Sequence, residues 1–410
     1  MQDLKASSRF AKLTVSRIRR IVRKLHVGLT VVMFRMASHE PIAIIGAGLS
    51  GLTLGRCLKS KGIPFKIYES AQDSPSHNYG ITLYPSTYQR LASLLDLGVD
   101  TFKRCTAVDA GRGGDGELAS QNSGIPKGSF RCNRGRVEVL LRDELQVSWQ
   151  KNLQKMTRRE NTMTAEFEDR SKISSQCFVG CDGPHSAVRS AVEGAAPPTV
   201  LQYVAYNGSR RINRDDKDVE GLGDLRNQAL LVKHLGDVRL EISVKDVSSS
   251  YINLTYTYSR PAREGSDPLH RPDRPKSAAK EIPEEFYKEL AALSKLEAPF
   301  NTIFDPEKVR KDRLLHWLMR QHTPNEAILI SGANDGLLLI GDAAHATPIL
   351  GGDGANTAIN DAFDLADHIS AYAPTRLTTF VEKKIDSWKI SVIESERRIE
   401  GMHKATSSRL

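Results

Sequence analysis

The pattern of apolar and polar positions divides the chain into stretches of different character. Between Pro41 and about residue 198, short apolar runs such as Ile42–Ile45 alternate with amphipathic segments, and the spacing predicts a strand–helix–strand unit over 41–70. From Thr199 the pattern changes to longer alternating stretches rich in Tyr, Val and Ile, which is typical of antiparallel strands. The apolar run before Gly341 and the helical pattern from Asn356 return to the first type. The sequence therefore predicts an α/β fold interrupted by a mostly antiparallel β-sheet.

This change of pattern also predicts the domain organisation. The two outer stretches belong to one Rossmann-like nucleotide-binding domain, and the middle stretch forms a separate sheet domain. The Gly- and Ser-rich stretch 110–128 is predicted to be a loop. The expected boundaries are 1–35 for a basic extension without regular structure, 36–110, 130–198 and 326–370 for the nucleotide-binding domain, 199–325 for the sheet domain, and 371–410 for C-terminal helices.

Charge is concentrated at the N-terminus. The net charge of the chain is +9, and nine Lys or Arg residues against Asp3 alone give the first 35 residues a charge of +8. The rest of the chain is almost neutral, which does not favour nucleic acid binding. The basic segment is an unstructured extension ahead of a start at Met36, which we favour, a mitochondrial presequence, or a helix that lies on a membrane surface. We accordingly expect a cytoplasmic protein, with a mitochondrial location as the alternative.

Neither a membrane span nor a metal site is expected from the sequence. The best apolar stretch, 25–34, is about half of the ~20 residues that a membrane-spanning helix needs. The five cysteines are an odd number and include no Cys-x-x-Cys pair, so neither a disulfide framework nor a zinc site is indicated.

The first candidate binding site is the glycine motif Gly46-Ala-Gly48-Leu-Ser-Gly51, which follows a predicted strand and opens a predicted helix. In such a motif the first glycine permits a tight turn, the second lets the backbone approach a pyrophosphate, and the third lets helix and strand pack closely. Glu69 ends the second strand, 18 residues after Gly51, where a carboxylate accepts hydrogen bonds from a ribose diol. The motif predicts a bound dinucleotide, but it does not separate NAD from FAD.

Two later stretches of the sequence distinguish FAD from NAD as the bound cofactor. Asp182-Gly183 follows a strand and precedes Ser186 and Arg189, and Gly341-Asp342 follows another strand. With the glycine motif they resemble the three fingerprints of the class A flavoprotein monooxygenases, the single-component FAD-dependent aromatic hydroxylases such as p-hydroxybenzoate and salicylate hydroxylase. In "YTYSRP" and "LHWLMR" the chain is also similar, more closely, to FAD-binding monooxygenases of fungal secondary metabolism. The resemblance implies an FAD-binding domain of the glutathione-reductase type.

The resemblance also implies which residues bind the cofactor. Asp342 would bond a ribityl hydroxyl of FAD, and the turn 352–356 would open a helix whose free N–H groups point at the pyrimidine edge of the flavin. The cofactor-binding residues implied by the fingerprints are Gly46, Gly48, Gly51, Glu69, Arg134, Asp182, Gly183, Gly341, Asp342, Pro348, Gly352, Gly354, Ala355 and Asn356.

Three charged residues near the fingerprints have further implied roles. Relatives carry an arginine that opens a helix and reaches the FAD pyrophosphate, and Arg134 matches it, with Arg136 as the competitor. Asp182 would serve FAD and, indirectly, the nicotinamide donor. Arg189 is expected to hold its motif together through an ion pair.

Two positions depart from the family pattern. Ile349 follows Pro348 where many relatives have a second proline, and Asp353 stands where many have glutamine. Ile349 alters the surface that faces the flavin ring. Asp353 adds a carboxylate near an anion-binding turn, and it either points away from the flavin or tunes the flavin potential.

The resemblance further implies the reaction. NAD(P)H binds transiently and reduces FAD, O2 then forms a flavin C4a-hydroperoxide, and oxygen is delivered to a small aromatic or a polyketide-, indole- or terpenoid-like substrate by hydroxylation or epoxidation. The single glycine motif fits this class, since monooxygenases with a separate NADPH domain usually show a second motif. A flavin dehydrogenase or reductase without oxygen insertion and a non-catalytic flavoprotein stay as alternatives, because both would use the same FAD motifs.

The sequence does not identify a catalytic residue. Substrate contacts are expected from the inserted sheet, where Tyr206, Arg210 and Tyr258 are weak candidates for activating or orienting a phenol. A tyrosine on a strand more often serves packing, and an arginine on a strand more often faces solvent. For His345 an acid–base role is weighed against a structural hydrogen bond, and the structural role is favoured.

Overall fold

The computed structural model describes residues 40–404 apart from short gaps. The gaps are 75–76, 119–124, 160–161, 193–195, 214, 217–221, 223–227, 294–295 and 373–375. The basic segment 1–35 lies outside the described residues, and so do all three interpretations of it.

A parallel sheet, an antiparallel sheet and the helices that cover them make up most of the described chain. The strands are β1 (Ile42–Ile45), β2 (Phe65–Tyr68), β3 (Gly80–Leu83), β4 (Phe130–Asn133), β5 (Val147–Ser148), β6 (Leu153–Arg159), β7 (Thr162–Phe167), β8 (Lys172–Ser175), β9 (Phe178–Gly180), β10 (Thr199–Val200), β11 (Tyr203–Asn213), β12 (Leu230–Leu235), β13 (Val238–Val247), β14 (Tyr251–Pro261), β15 (Arg313–Trp317), β16 (Arg320–Gln321) and β17 (Leu337–Leu339). The helices are α1 (Leu49–Ser60), α2 (Pro85–Leu94), α3 (Val99–Thr106), α4 (Arg134–Arg142), α5 (Ala187–Ser190), α6 (Glu284–Ala292), α7 (Phe300–Ile303), α8 (Pro306–Val309), α9 (Glu326–Asn334), α10 (Gly354–Tyr372) and α11 (Leu377–His403).

The nucleotide-binding part is built on a five-stranded parallel sheet in the order β17-β9-β1-β2-β5. All four residues of β1 are at most 3% exposed, because helices cover both faces of a parallel sheet, and this explains the uninterrupted apolar run of the strand. β17 follows the antiparallel sheet in sequence yet pairs with β9, which precedes it. The two outer stretches therefore complete one sheet around an inserted one, and the predicted α/β fold with an antiparallel insertion is confirmed.

The inserted sheet is antiparallel, in the order β12-β13-β14-β11-β15. One face is apolar and packs against α6, α7 and α8, where the ring of Tyr206 stacks on Phe286 with centroids 4.3 Å apart. The opposite face is polar. It meets the nucleotide-binding part through β4, since Arg131 Nε donates to Ser243 Oγ at 3.2 Å and Asn133 Nδ2 donates to the Lys245 carbonyl at 2.9 Å. Both faces of this sheet are thus covered, one by apolar contacts with helices and the other by polar contacts with the nucleotide-binding part.

Two smaller sheets were not predicted in this form. β6, β7 and β8 make a three-stranded antiparallel sheet. β3 and β4 pair as an antiparallel ribbon. This ribbon carries Arg131 to the seam between the two large sheets.

The C-terminal helix α11 contacts both large parts of the structure. Its first half contributes Phe380, Ile385 and Trp388 to the core of the nucleotide-binding part. Its last turn reaches the inserted sheet, where His403 and Ser259 share a hydrogen bond of 2.9 Å. The helix therefore holds the two parts at a fixed spacing.

None of the described helices is long and apolar enough to cross a membrane. The five cysteines are free, and burial raises the pKa of the thiols of Cys57, Cys132 and Cys177 to about 12. These thiols are protonated core side chains.

Gly208 is expected to be required for packing of the inserted sheet. It pairs with Tyr256 across β11 and β14, and a Cβ at Gly208 would lie 2.1 Å from the Tyr256 ring. Gly208→Ala should lower the free energy of unfolding by about 1–3 kcal/mol, because the ring must move within a packed core. Gly401→Ala in α11 is the control, since no described heavy atom lies within 4 Å of its added Cβ and alanine favours a helix. Urea unfolding followed by circular dichroism compares them, and equal midpoints would contradict this packing.

Candidate cofactor and substrate site

The turn after β1 is shaped by three glycines with different neighbours. Gly46 has a φ of +107°, and a Cβ there would lie 2.4 Å from the Cys181 carbonyl oxygen. A Cβ at Gly51 would lie 2.0 Å from the Gly46 carbonyl oxygen. At Gly48, however, a Cβ would meet only Arg134 Nη2, at 3.7 Å, among the described residues that are not its chain neighbours. The protein itself needs the first and third glycines, and the second borders a space that a phosphate group can fill.

Arg134 stands at this space, and Arg136 does not. Arg134 is the first residue of α4, and its guanidinium donates to Glu138 Oε1 at 2.8 Å and to the Tyr79 hydroxyl. Arg136 points toward the inserted sheet, where it pairs with Asp246 at 2.5 Å. Of the two candidates, Arg134 is placed to reach a pyrophosphate at the glycine turn.

Glu69 is part of the same turn. Its Oε2 accepts a hydrogen bond from the Ala47 N–H at 2.7 Å, and its Oε1 accepts one from the Ala71 N–H at 3.0 Å. The carboxylate therefore lies at the carboxyl end of β2 beside the glycine motif. This is the position that a ribose-binding carboxylate requires.

Asp182 and Arg189 join two fingerprints to each other. Asp182 accepts hydrogen bonds from the Ser186 hydroxyl at 2.6 Å and the Val188 N–H at 3.1 Å, and burial raises the pKa of its carboxyl. Arg189 donates to the carbonyl oxygens of Asp342 at 3.2 Å and Ala343 at 2.9 Å. Arg189 forms no salt bridge with any described residue, so the expected ion pair is not seen there; hydrogen bonds to backbone carbonyls tie the two motifs together instead.

Asp342 is free to bind a ligand. Among the described residues none donates a hydrogen bond to the Asp342 carboxylate. Burial raises the pKa of this carboxyl group. A Cβ at Gly354, the first residue of α10, would lie 3.5 Å from Asp342 Oδ1. Gly352 has a φ of +85° with open space at its Cβ position. The carboxylate and the free N–H groups at the start of α10 therefore lie side by side, which suits a ribityl chain followed by a flavin ring.

The other predicted residues of this turn make contacts within the protein that hold the turn in place. The Asn356 side chain accepts from the Tyr84 N–H at 2.9 Å and donates to the Thr82 carbonyl at 3.0 Å, so it anchors α10 to the end of β3. The Pro348 carbonyl accepts from the Gly351 N–H at 2.8 Å and closes the preceding turn. Ile349, which follows Pro348, is 53% exposed.

His345 has the structural role that was favoured. Its Nε2 lies 2.6 Å from Asp361 Oδ2, and its ring stacks on Trp388 with centroids 5.0 Å apart. The Gly341 N–H and Trp388 Nε1 also donate to Asp361, at 3.1 and 2.8 Å. The imidazole is therefore fixed inside a buried network behind the cofactor turn.

The weak catalytic candidates lie on the helix-covered face of the inserted sheet. Tyr206 packs under α6, Tyr258 donates to Glu289 at 2.6 Å, and Arg210 pairs with Asp312 at 2.6 Å. All three point into the apolar layer between the sheet and its helices, away from the nucleotide-binding part. None of the three lies on the polar face that meets the nucleotide-binding part.

A polar cluster that the sequence reasoning missed lies at the seam itself. Arg239 Nη2 donates to Glu241 Oε2 at 2.6 Å, and Arg131 approaches from β4, where its Nη1 donates to Thr82 Oγ1 at 3.0 Å. Arg239 Nη1 is buried and has no hydrogen-bond partner among the described residues. The signal was present in "VRLEISV", where Arg239, Glu241 and Ser243 alternate with apolar residues and must share one face.

Together these features define an FAD-binding flavoprotein in which Thr82 links the polar cluster to the cofactor turn, since it contacts both Arg131 and Asn356. The family model of the FAD binding domain matches residues 39–205 and 312–376, and the chain belongs to this family. It is 30% identical over 396 residues to the FAD-dependent monooxygenase nscC of Aspergillus fumigatus, covering 90% of this chain and 97% of that protein. It is 31% identical over 355 residues to the FAD-dependent monooxygenase aptC of Emericella nidulans, covering 80% and 85%. The chain is therefore a class A FAD-dependent monooxygenase of the fungal secondary-metabolism type.

Solved structures share the fold. The chain resembles 2,6-dihydroxypyridine-3-hydroxylase of Arthrobacter nicotinovorans with a TM-score of 0.67 at 17% identity, covering 91% of this chain and 96% of that chain. It resembles Klebsiella pneumoniae HpxO complexed with FAD and uric acid with a TM-score of 0.62 at 19% identity, covering 88% and 89%.

Gly48 and Gly51 are expected to fail in different ways when substituted. Gly48→Val should abolish FAD retention and leave the apoprotein folded, because its side chain enters the phosphate space and not the protein core. Gly51→Ala should impair folding, because its Cβ would overlap the Gly46 carbonyl. Flavin absorbance of the purified proteins and circular dichroism measure the two effects. A Gly48→Val protein that stays yellow would show that the pyrophosphate lies elsewhere.

Proposed function

We propose that this monooxygenase uses NAD(P)H and O2 to hydroxylate or epoxidise a small aromatic secondary metabolite, with FAD held by the glycine turn, Arg134 and Asp342. The observation that carries the proposal is the position of the Arg131–Glu241–Arg239 cluster. The Thr82 hydroxyl accepts a hydrogen bond from Arg131, and the Thr82 carbonyl accepts one from Asn356. One residue therefore holds both the cluster and the start of α10. Bound FAD supplies the oxygen chemistry, and the chain supplies binding, orientation and exclusion of water.

The charge of the seam cluster favours a substrate with an acidic oxygen. The two arginines flank one carboxylate, which leaves one positive charge in excess among the three groups. Arg239 and Arg131 hold the pKa of Glu241 below its usual value in spite of its burial, so this carboxylate is ionised. The unpaired N–H of Arg239 can donate to a phenolate, enolate or carboxylate. A phenolate or enolate is also electron-rich, as electrophilic hydroxylation requires.

Two structural neighbours are named with compounds of this kind. The names of the neighbours mention 2,6-dihydroxypyridine and uric acid, which are small ring compounds with acidic oxygens. Polyketide- and indole-like phenols share this feature. A terpenoid without an acidic oxygen fits the seam less well.

A group of cations beside the Asp182 motif supports the use of NAD(P)H. Arg320, Lys276 and Arg189 add to burial in lowering the pKa of His185, and Arg320 does the same for Arg274. No described carboxylate forms a salt bridge with Arg320, Arg274 or Lys276. A surface with this excess of positive charge attracts the phosphates of a nicotinamide dinucleotide that binds briefly and leaves.

Flavin spectra in stopped flow test this function. The full chain with FAD is reduced by NADPH or NADH without oxygen and then mixed with oxygenated buffer, in the presence of phenolic and indolic compounds. We expect a transient absorbance between the reduced and oxidised spectra, and faster reduction in the presence of compounds that bind the seam. Direct return to oxidised flavin under every condition would instead support a dehydrogenase or reductase.

Arg239→Gln tests the acidic-oxygen substrate. The probes are 1,3-dihydroxynaphthalene and its dimethyl ether, titrated into the FAD-loaded protein at several pH values. The variant should bind the ionised phenol about tenfold more weakly and the ether equally well, because a charged hydrogen bond is lost only for the phenol. Arg211→Gln is the control, since Arg211 lies on the same face but stacks on Tyr251 at 3.8 Å. Equal changes for both probes, or no binding of the phenol to the unmodified protein, would contradict the proposed substrate class.

A further inference from the structure

Asp353, where the cofactor turn departs from the family pattern, is held by side chains from two distant elements. Its Oδ1 accepts a hydrogen bond from the Tyr84 hydroxyl, and its Oδ2 forms an ion pair with Arg398 of α11. The side chains of Asp353 and Arg398 are 16% and 29% exposed, so both charges are partly removed from water. Their attraction is therefore less screened than that of an ordinary surface pair.

The Asp353 carboxylate does not cap the helix that follows it. An acidic residue just before a helix usually accepts hydrogen bonds from the first N–H groups of that helix. Among the described residues, the donors to the Asp353 side chain are Tyr84 and Arg398, and none is an N–H of α10. The first N–H groups of α10 thus remain available to the flavin, while a negative charge lies in the turn beside them.

The packing of α11 fixes Arg398 against the cofactor turn. A Cβ at Gly351 would lie 1.7 Å from Ser395 Oγ, so the backbone of the turn touches the helix directly. Ile399 is fully buried and clusters with Leu201 and Leu350 on the same side. Arg398 lies between these two contacts and is therefore presented to Asp353 by a rigid helix.

We propose that Arg398 is a positioning residue which neutralises Asp353 and thereby sets the midpoint potential of the bound flavin. The inference rests on the FAD placement described above, with the flavin pyrimidine edge at the start of α10. It does not depend on NAD(P)H, on oxygen insertion or on the identity of the substrate.

The expected sign follows from the charge of the reduced flavin. Two-electron reduction at neutral pH leaves an anionic flavin, and an uncompensated carboxylate nearby destabilises this form more than the neutral oxidised form. Removing the positive charge of Arg398 should therefore lower the potential. Removing the negative charge of Asp353 should raise it, because Arg398 is then uncompensated. Removing both charges should return the potential close to its original value.

The test measures the midpoint potential of the FAD-loaded full chain by dye equilibration for Arg398→Gln, Asp353→Asn and the double variant. We expect shifts of opposite sign in the single variants. Each shift should be about tenfold in the ratio of affinities for reduced and oxidised flavin, or about 30 mV for a two-electron couple. Arg397→Gln is the matched control and should not shift the potential, since Arg397 is 67% exposed and pairs with Glu394 on its own helix.

A merely structural role would give a different result. If the contact only holds the turn in place, both single variants should weaken FAD binding, shift the potential in the same direction or not at all, and resemble the double variant. Any of these patterns would overturn the proposal. Should Arg398→Gln lose FAD altogether, Arg398→Lys decides the question: an unchanged potential supports charge neutralisation, and a shifted one argues against it.

Discussion

The cofactor site depends on one buried carboxylate, that of Asp361. Removing a carboxylate from water costs several kcal/mol unless it is paired and fully hydrogen-bonded. Here His345, Trp388, the Gly341 N–H and Lys384 surround it, and these partners hold the pKa of its carboxyl below the usual value in spite of burial. They come from the turn after β17 and from α11, while Asp361 belongs to α10. The Asp361 carboxylate therefore connects the turn after β17, α10 and α11, and two of these elements carry Asp342 and the free N–H groups at the start of α10.

The same network connects the cofactor cradle to the inserted sheet. Trp388 and Lys384 belong to the first half of α11, and His403 in the last turn of that helix bonds to Ser259 of β14. A shift of the cofactor turn would consequently strain the contact with the sheet. The helix thus links the cofactor turn to the polar face of the inserted sheet. Buried polar networks of this kind are costly when they are only partly satisfied, and they hold a core in one arrangement when every member has its partners.

The cradle could be predicted from the sequence because its parts are local. The roles of Gly46, Gly48 and Gly51 follow from a spacing of six residues in one turn, and Asp342 follows directly from the end of an apolar strand. The seam could not be predicted in the same way. Side chains alternate between the faces of a strand, so Tyr206 and Asn207 point in opposite directions, and both faces of this sheet are covered. Alternation showed which residues share a face, but not which face meets the cofactor.

The ion pair of Asp353 shows a second limit of local reasoning. The motif identified Asp353 as a departure, and its two possible roles, pointing away or tuning the flavin, were treated as alternatives. The structure makes them compatible, because a carboxylate that turns away from the helix N–H groups still lies in the turn and still acts through its charge. What decides its effect is Arg398, which lies 45 residues away and is brought close only by the packing of α11. The effect of Asp353 on the flavin therefore has to be considered together with the charge of Arg398, because in our proposal the flavin responds to both charges.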